Sequence, residues 1–306
     1  MTETFTLAHF SDVHLAPILG FTWRYWNVKR MLGYANWHRK RRFVHKADVA
    51  DRLIDDARAL RTDHIAITGD LVNLGLPGEH KRALAWLQSI GPPQEVTVIP
   101  GNHDIYSNLR GDKGVARWAA YMGGEEETLA FPFVRRIGPV ALVGLNSAVE
   151  TPPFVASGQL GQHQLAVVEE QLLSLEELGV IRVVLIHHPP LAGLARPRRA
   201  LKDAGHLAHL LERAGAELVL YGHNHRLEVD WLPSHKGHVP VIGAPSASAS
   251  TRHGEEPLAR YNLFTFFKTP TGLRIRHVIR GLTTPDGPIM RISEGVLEAP
   301  DEARRE

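Results

Sequence analysis

Five short clusters of carboxylate, amide and imidazole side chains have the residue types and spacing to bind metal ions. Each cluster directly follows a short apolar run that predicts a buried strand. In chain order they are Asp12-Val13-His14, Gly69-Asp70, Gly101-Asn102-His103-Asp104, His187-His188-Pro189-Pro190 and Gly222-His223-Asn224-His225. Ligands of open α/β sheets bind at the carboxyl ends of the strands, so the five clusters are expected to converge on one edge.

The donors in these clusters are oxygen and nitrogen atoms only, because the chain contains no cysteine. Asp12 and His14 are one residue apart, so an extended backbone would point both side chains at one ion. His223 and His225 have the same spacing, and Asp70 stands alone after a glycine, where it could bridge two cations. Mixed imidazole and carboxylate sites take Mn, Fe or Zn, and the sequence does not choose among these metals.

The charge of such a site favours phosphate ester chemistry. Two divalent cations with Asp12, Asp70 and a bridging hydroxide carry a net charge of about +1, which attracts an anionic phosphate. Two metal ions about 3.5–4 Å apart can hold the attacking and leaving oxygens of an in-line displacement and lower the pKa of a bound water. Hydrolysis of a phosphate ester is the reaction that needs both effects.

Short apolar runs alternate with helical patterns over most of the chain and must position the clusters. Strands are predicted at 4–10, 64–68, 95–99, 140–145, 181–186 and 218–221, and helices at 49–60, 79–90, 162–178 and 204–213. After Asn224 the pattern predicts strands without helices between them, at 227–232, 239–243, 262–267 and 273–279. This order predicts an α/β sandwich in which a later sheet completes one domain over residues 1–294. The charged residues 295–306 are expected to form a disordered tail.

A basic aromatic segment at residues 15–46 departs from this plan. Residues 13–47 contain no aspartate or glutamate, eight lysines and arginines, and three of the six tryptophans. The cations are Arg24, Lys29, Arg30, Arg39, Lys40, Arg41, Arg42 and Lys46. We expect a lid beside the metal site, because the segment follows His14 directly. Its aromatic side chains could pack onto the domain, meet an anionic membrane lipid or clamp a nucleic acid.

The composition excludes several classes of protein. No run of about 18 apolar residues is present to cross a membrane. The start of the chain lacks a basic region followed by an apolar region, and the absence of cysteine fits a reducing compartment. We therefore expect a cytoplasmic protein, peripheral to the inner face of the membrane if the lid meets lipid. A net charge of +2 gives no support to nucleic-acid binding, and the sequence leaves the oligomeric state open.

The order D-x-H, G-D, G-N-H-D, H and G-H-x-H resembles the calcineurin-like metallophosphoesterase superfamily. The resemblance spans Asp12 to His225 and includes all five motifs in sequence. It implies a double β-sandwich flanked by helices (αββα), two divalent transition-metal ions and in-line attack by a metal-bridging hydroxide on a phosphate-ester substrate.

The resemblance also implies a role for each motif residue. One metal ion would be held by Asp12, His14, Asp70 and His225, and the second by Asp70, Asn102, His187 and His223. His103 matches the general acid that protonates the leaving alkoxide. The family's H-x-P pattern selects His187 rather than His188 as the ligand, and His188 would then line the rim or pack behind it.

One motif departs from the protein serine/threonine phosphatases of this superfamily. Their G-D-x-V-D-R-G motif has an Asp that supports the catalytic histidine and an Arg after it. In this chain Asn73 and Leu74 occupy those positions. The departure argues against that branch, and it leaves open which residue orients His103, since Asp104 could point away.

The motifs leave the substrate open. The Asn73 variant followed by HHPP looks most like the bacterial phosphodiesterases of cyclic nucleotides and glycerophosphodiesters. The basic aromatic segment points instead to the similar UDP-2,3-diacylglucosamine pyrophosphatases, and a phosphomonoesterase is a further alternative. A scaffold without activity is disfavoured, because no ligand position is vacant. His253, Arg252 and the basic run 196–202 could contact substrate. His206 and His209 have a spacing that can bind metal but no further ligand cluster nearby, and the remaining histidines, His45 included, follow no metal-binding pattern.

Overall fold

Two six-stranded sheets with helices on their outer faces are the main elements of the computed structural model, which describes residues 4–109, 111–124, 129–270 and 272–299. The strands are β1 (Thr4–Phe10), β2 (His64–Ile67), β3 (Val96–Val98), β4 (Phe133–Ile137), β5 (Val140–Gly144), β6 (Ile181–Leu185), β7 (Leu218–Tyr221), β8 (Glu228–Ser234), β9 (Gly237–Gly243), β10 (Arg260–Thr269), β11 (Gly272–Leu282) and β12 (Ile289–Val296). The helices are α1 (Val28–Asn36), α2 (Arg42–Val44), α3 (Ala47–Ala59), α4 (Pro77–Ile90), α5 (Gln162–Glu177) and α6 (Ala204–Ala214).

Each sheet has a parallel part that carries the predicted clusters. The first sheet has the order β12-β11-β10-β1-β2-β3, with β1, β2 and β3 parallel. The second has the order β4-β5-β6-β7-β9-β8, with β5, β6, β7 and β9 parallel. Parallel strands end at the same edge of a sheet, so the loops that follow them lie together.

Alternate residues of the central strands face different layers. Val183 and Leu185 of β6 belong to a buried cluster that includes Phe10 and Ile67 of the first sheet. Val184 belongs to a second cluster together with side chains of α5 and α6. Period-two alternation thus buries one face of the sheet against the other sheet and one face against helices. The predicted αββα sandwich is confirmed.

Three details differ from the sequence prediction. The late strands do not form a sheet of their own, because β8 and β9 extend the second sheet while β10, β11 and β12 extend the first. Strands β4 and β12 were not predicted from the apolar pattern. The expected tail begins too early, since β12 continues to Val296 and the Leu297 N–H donates to the Ile275 carbonyl. Antiparallel pairing with β11 extends this strand beyond residue 294, and residues 300–306 lie outside the described part.

The segment 15–46 forms a helical cap that begins at the metal-binding edge. It contains a 3-10 turn at Trp23–Tyr25, then α1, a π-helical turn at Trp37–Arg41 and α2. Arg30 is buried, and its guanidinium donates to carbonyl oxygens that come from two other parts of the chain as well as from the cap. The acceptors are Tyr25, Leu74, Gly75, Ser107 and Asn108. In the described residues, no helix is both long enough and apolar enough to span a bilayer.

Candidate dinuclear metal centre

The five predicted clusters meet at one edge, in the loops that follow β1, β2, β3, β6 and β7. The parallel pairing of β1 and β2 continues beyond both strands. There the Asp12 N–H donates to the Gly69 carbonyl and the His14 N–H donates to the Asp70 carbonyl. The loops are thereby held side by side.

The backbone in these loops corrects the prediction of extended Asp12-x-His14 and His223-x-His225 pairs. Asp12, His14, Asp70, His223 and His225 all have positive φ angles, between 46° and 69°. This left-handed region is strained for residues with a side chain and concentrates at functional sites. The side chains of each pair converge because the chain turns tightly, and not because it is extended.

The first ligand group contains Asp12, His14 and His225, all buried, with donor atoms within 4.8 Å of one another. His225 Nε2 lies 3.1 Å from Asp12 Oδ1 and 3.3 Å from His14 Nε2. Asp70 Oδ2 lies 4.0 Å from His14 Nε2, so the predicted bridging carboxylate borders this group.

The second ligand group contains Asp70, His187 and His223, whose donor atoms also lie within 4.8 Å of one another. His187 Nε2 lies 3.4 Å from Asp70 Oδ2 and 3.2 Å from Asn102 Oδ1. His223 Nε2 is buried and has no hydrogen-bond partner. A buried polar atom without a partner is costly, and a cation at this point would satisfy it. The donors therefore fit a pair of metal ions.

Hydrogen bonds behind three of the rings fix which nitrogen faces the cluster. The Nδ1–H groups of His187, His14 and His225 donate to Thr68 O at 2.6 Å, Val72 O at 3.2 Å and Glu256 Oε2 at 3.1 Å, respectively. Each ring then presents its Nε2 to the cluster. Such outer partners are typical of metal-binding histidines, because they set the tautomer and the ring orientation.

Asp104 joins the loops and does not support His103. Its Oδ2 accepts from the Asp70 and Gly101 N–H groups at 2.8 Å, and its Oδ1 accepts from the Val72 N–H at 3.1 Å. A Cβ at Gly101 would collide with Asp70, so only glycine permits this approach. The sequence left the direction of Asp104 open, and the structure directs it away from the cleft.

The electrostatics of the cluster are those of buried acid–base pairs. Burial opposes ionisation of Asp70, but His187 and His103 hold its pKa well below the ordinary value. Burial likewise opposes the charge of His187 and His225, yet Asp70 and Asp12 respectively raise their pKa values to about 9. Divalent cations would displace these protons, since metal binding requires neutral imidazoles and ionised carboxylates.

His103 lies against the first group and is oriented by a backbone carbonyl. Its Nδ1–H donates to the Asn73 carbonyl at 2.5 Å, and its ring stacks on Tyr106 with centroids 5.4 Å apart. Its Nε2 lies 3.0 Å from Arg41 Nη1. Burial and the Arg41 charge lower the pKa of His103 to about 3. The backbone carbonyl of Asn73 thus orients His103, a role that the aspartate side chain at this motif position has in the protein serine/threonine phosphatases.

His188 packs behind the cluster. Its Nδ1 lies 2.8 Å from Ser147 Oγ, and its Nε2–H donates to the Ala156 carbonyl at 3.1 Å. Both ring nitrogens are therefore occupied. His187 Nε2 instead faces Asp70 and Asn102, so His187 stays the predicted ligand.

A cavity of about 370 Å³ opens above the ligand groups. The cap contributes Trp37, Lys40 and Arg41 to its wall, and Arg199 and His253 line it as the sequence allowed. Arg252 is exposed and is not part of the lining.

Three titratable side chains that line the cavity were not predicted from the sequence, namely His45, Tyr106 and Glu256. His45 is buried, with its ring 4.6 Å from that of His14. No spacing in the sequence predicted its position, because the whole cap lies between it and the first cluster.

This two-sheet fold with two His/Asp metal-binding groups defines the class of a metal-dependent phosphoester hydrolase. The family model for calcineurin-like phosphoesterases matches residues 5–227. The chain therefore belongs to that family, and the recognition made from the motifs is confirmed.

Two curated relatives are phosphodiesterases. The glycerophosphodiester phosphodiesterase GpdQ of Enterobacter lignolyticus is 28% identical over 227 residues, which cover 72% of this chain and 71% of the relative. A cAMP/cGMP dual specificity phosphodiesterase of Mycobacterium tuberculosis is 25% identical over 195 residues, covering 60% of this chain and 57% of the relative.

Solved structures support the fold. A dimetal phosphatase from Danio rerio has a TM-score of 0.57 at 16% identity and covers 94% of this chain and 98% of its own. A purple acid phosphatase from yellow lupin (Lupinus luteus) seeds has a TM-score of 0.56 at 12% identity, covering 100% of this chain and 56% of its own.

Proposed function

We propose that the protein hydrolyses a phosphodiester or a pyrophosphate in the cavity above the two ligand groups. The observation that carries the proposal is the position of Asp70 Oδ2, 4.0 Å from His14 Nε2 and 3.4 Å from His187 Nε2, between the groups. We assign Asp12, His14, Asp70 and His225 to one metal ion, and Asp70, Asn102, His187 and His223 to the other. The nitrogen and oxygen donors suit Mn, Fe and Zn alike.

The metal ions, when bound, supply Lewis-acid activation of the phosphoryl group and of a water nucleophile. The chain's own contribution is to fix the donors before substrate arrives. Thr68, Val72 and Glu256 orient the rings, and Asp104 holds the Asp70 loop against the Gly101 loop. Fixed donors cost no reorganisation when charge develops on the phosphoryl oxygens.

His103 is proposed as the general acid. Its Nδ1–H is held by the Asn73 carbonyl, so Nε2 is the atom that would protonate the leaving alkoxide. Burial and Arg41 keep its pKa near 3 and the ring neutral. An anionic phosphate bound beside His103 and Arg41 would raise that pKa, because an adjacent negative charge favours the protonated ring. Substrate binding would therefore favour the protonated form of His103, which is the form that acts as a general acid.

Two arginines offer positive charge to the substrate phosphate. Arg41 reaches the cavity from the cap, and Arg199 lines it while donating to the His223 carbonyl at 2.8 Å. Guanidinium groups bind phosphate oxygens with two parallel hydrogen bonds. A diester or pyrophosphate is preferred to a monoester because both named relatives are phosphodiesterases. A cyclic nucleotide and a phosphomonoester are the alternatives.

A second candidate is a UDP-2,3-diacylglucosamine pyrophosphatase acting at the inner face of the membrane. The observation that favours it is the cap, which lines the cavity through Trp37 and Lys40 and exposes other apolar side chains at its outer surface. A lipid-linked pyrophosphate could place its headgroup in the cavity while its acyl chains stay in the bilayer.

A hydrolysis panel with added Mn²⁺ tests both candidates. It compares bis(p-nitrophenyl) phosphate, cyclic AMP, p-nitrophenyl phosphate and UDP-2,3-diacylglucosamine, with Asp70→Asn as the inactive control. We expect the diester to be cleaved faster than the monoester. Fastest cleavage of the UDP-linked lipid would select the second candidate, and cleavage of the monoester alone would overturn the first.

A further inference from the structure

The cap helix α1 has its apolar face turned towards solvent. Val28, Met31, Leu32 and Ala35 are all exposed, and their spacing of three, four and seven places them on one side of the helix. Their exposed fractions are 67% for Val28, 51% for Met31 and 41% for Leu32. A helix packed on a protein normally buries such a stripe. Here the opposite face is buried.

Arg30 explains why α1 is inverted. The inner face of the helix contains this arginine, which is 1% exposed and donates to five backbone carbonyls. These bonds fix the rotation of the helix about its axis. Rolling the apolar stripe inward would strip the buried guanidinium of its acceptors, which is strongly unfavourable. The outward stripe is therefore built into the fold.

The cap exposes further apolar side chains and cations. Trp23 is 80% exposed and Trp26 is 53% exposed, and Phe43 of α2 is also exposed. The exposed cations of the cap are Arg24, Arg39, Lys40, Arg42 and Lys46. Residues 13–47 contain no acidic residue to neutralise them. Tryptophan with arginine and lysine around an apolar helical face is typical of elements that lie in a membrane interface.

We propose that the outer face of the cap, Trp23, Trp26, Val28, Met31, Leu32 and Phe43 with the neighbouring cations, docks on an anionic lipid bilayer. Charge complementarity selects this occupant, because a basic segment that contains no acidic residue is drawn to anionic headgroups. The docking itself rests on the surface of the cap. Delivery of a lipid headgroup to the cavity, which the same cap lines, rests on the proposed function.

Cosedimentation with vesicles tests the docking. The metal-loaded protein is mixed with phosphatidylcholine vesicles with and without phosphatidylglycerol, at low and high NaCl. We expect binding only to the anionic vesicles and release by salt. The double variant Arg39→Gln, Arg42→Gln should lower the partition coefficient by up to about 30-fold, since each cation near an anionic surface contributes about fivefold.

Matched variants separate the contribution of the cap to vesicle binding from the effect of removing any exposed cation or apolar side chain. Arg136→Gln with Lys268→Gln removes two exposed cations from β4 and β10, and it should leave vesicle binding unchanged. Met31→Ser with Leu32→Ser should weaken binding by about 10-fold or more, because apolar area no longer leaves water. The control variant Leu173→Ser with Leu178→Ser changes two exposed leucines at α5 and should leave vesicle binding unchanged. Circular dichroism and hydrolysis of bis(p-nitrophenyl) phosphate should be wild-type for all four variants.

Several outcomes would overturn the docking proposal and leave the proposed function standing. One is hydrolysis of the soluble diester by a wild-type protein that stays in the supernatant at low salt. Another is a dimer in light scattering that Met31→Ser with Leu32→Ser converts to a monomer without any vesicle binding, since the face would then join two copies. Vesicle binding without hydrolysis of any phosphoester would instead keep the docking and reject the function.

Discussion

Arg41 Nη1 of the cap lies 3.0 Å from His103 Nε2, and Arg41 Nη2 lies 3.4 Å from His14 Nε2. One guanidinium thus contacts both the proposed general acid and a proposed metal ligand. Arg41 belongs to the π-helical turn Trp37–Arg41, 27 residues after His14 and 62 residues before His103. The cap therefore completes the site as well as covering it.

Arg41→Ala should lower kcat/KM for a diester by about 10- to 100-fold, because a charged hydrogen bond to the phosphate is lost. Arg41→Lys should recover part of the loss, since it restores the charge without the two-pronged geometry. Steady-state kinetics on bis(p-nitrophenyl) phosphate measures both. Arg39→Ala, which removes an exposed cation of the same turn, is the control and should have wild-type kinetics. Loss of bound metal in Arg41→Ala would show instead that the arginine stabilises the metal site.

His103→Ala should lower kcat by about 10²–10⁴-fold for diesters with alkyl leaving groups, which need a proton. The loss should be much smaller for nitrophenyl leaving groups, which depart as stable anions. Metal content should not change, because His103 is not assigned as a ligand. His163→Ala, an exposed histidine of α5, serves as the control. An equal loss for both kinds of leaving group would reject the general-acid role.

Asp70→Asn should reduce the metal content from two ions per chain to at most one, because Asp70 is the carboxylate that borders both groups. Elemental analysis after dialysis with Mn²⁺ measures the ratio. Asp56→Asn is the control, since Asp56 bonds to Tyr261 and Arg280 outside the site and should leave two ions bound. Chelation of the wild type should abolish diester hydrolysis. A wild type that binds a single ion when fully loaded contradicts the dinuclear assignment.

His64 should make the folded state less stable at acidic pH. Burial, with Arg135 second, lowers its pKa from 6.5 to about 3, so between these values the unfolded chain binds a proton that the folded chain does not. Its stabilising effect is present above pH 6.5 and is lost as the pH falls. His64→Gln should reduce the difference in unfolding free energy between pH 7 and pH 5 by about 2 kcal/mol.

Urea denaturation with a chelator present measures this difference without the metal contribution. His163→Gln, at an exposed position, should keep the wild-type pH dependence. If His64→Gln shows the same pH dependence as the wild type, the buried ring is not the group that titrates.

The sequence by itself predicted the candidate metal ligands and determined the layers of the fold. Apolar runs directly before Asp12, Asp70, Asn102, His187 and His223 predicted strands, and parallel strands necessarily end at one edge. The period-two pattern of strands such as β6 then buried one face on the other sheet and one on helices. Both predictions depend on local sequence patterns, which can be identified without knowing which residues are in contact in the folded protein.

Only the tertiary structure decided how the donors are aimed and what surrounds them. The left-handed backbone at Asp12 and His14 is strained, and it persists because the neighbouring loop accepts the Asp12 and His14 N–H groups. Arg41 contacts His103 although the two residues are 62 positions apart in the sequence. The outward face of α1 depends on Arg30, whose acceptors include carbonyls 44 and 77 positions away. Hydrogen bonds between distant segments leave no periodicity in a sequence, so no local pattern could predict them.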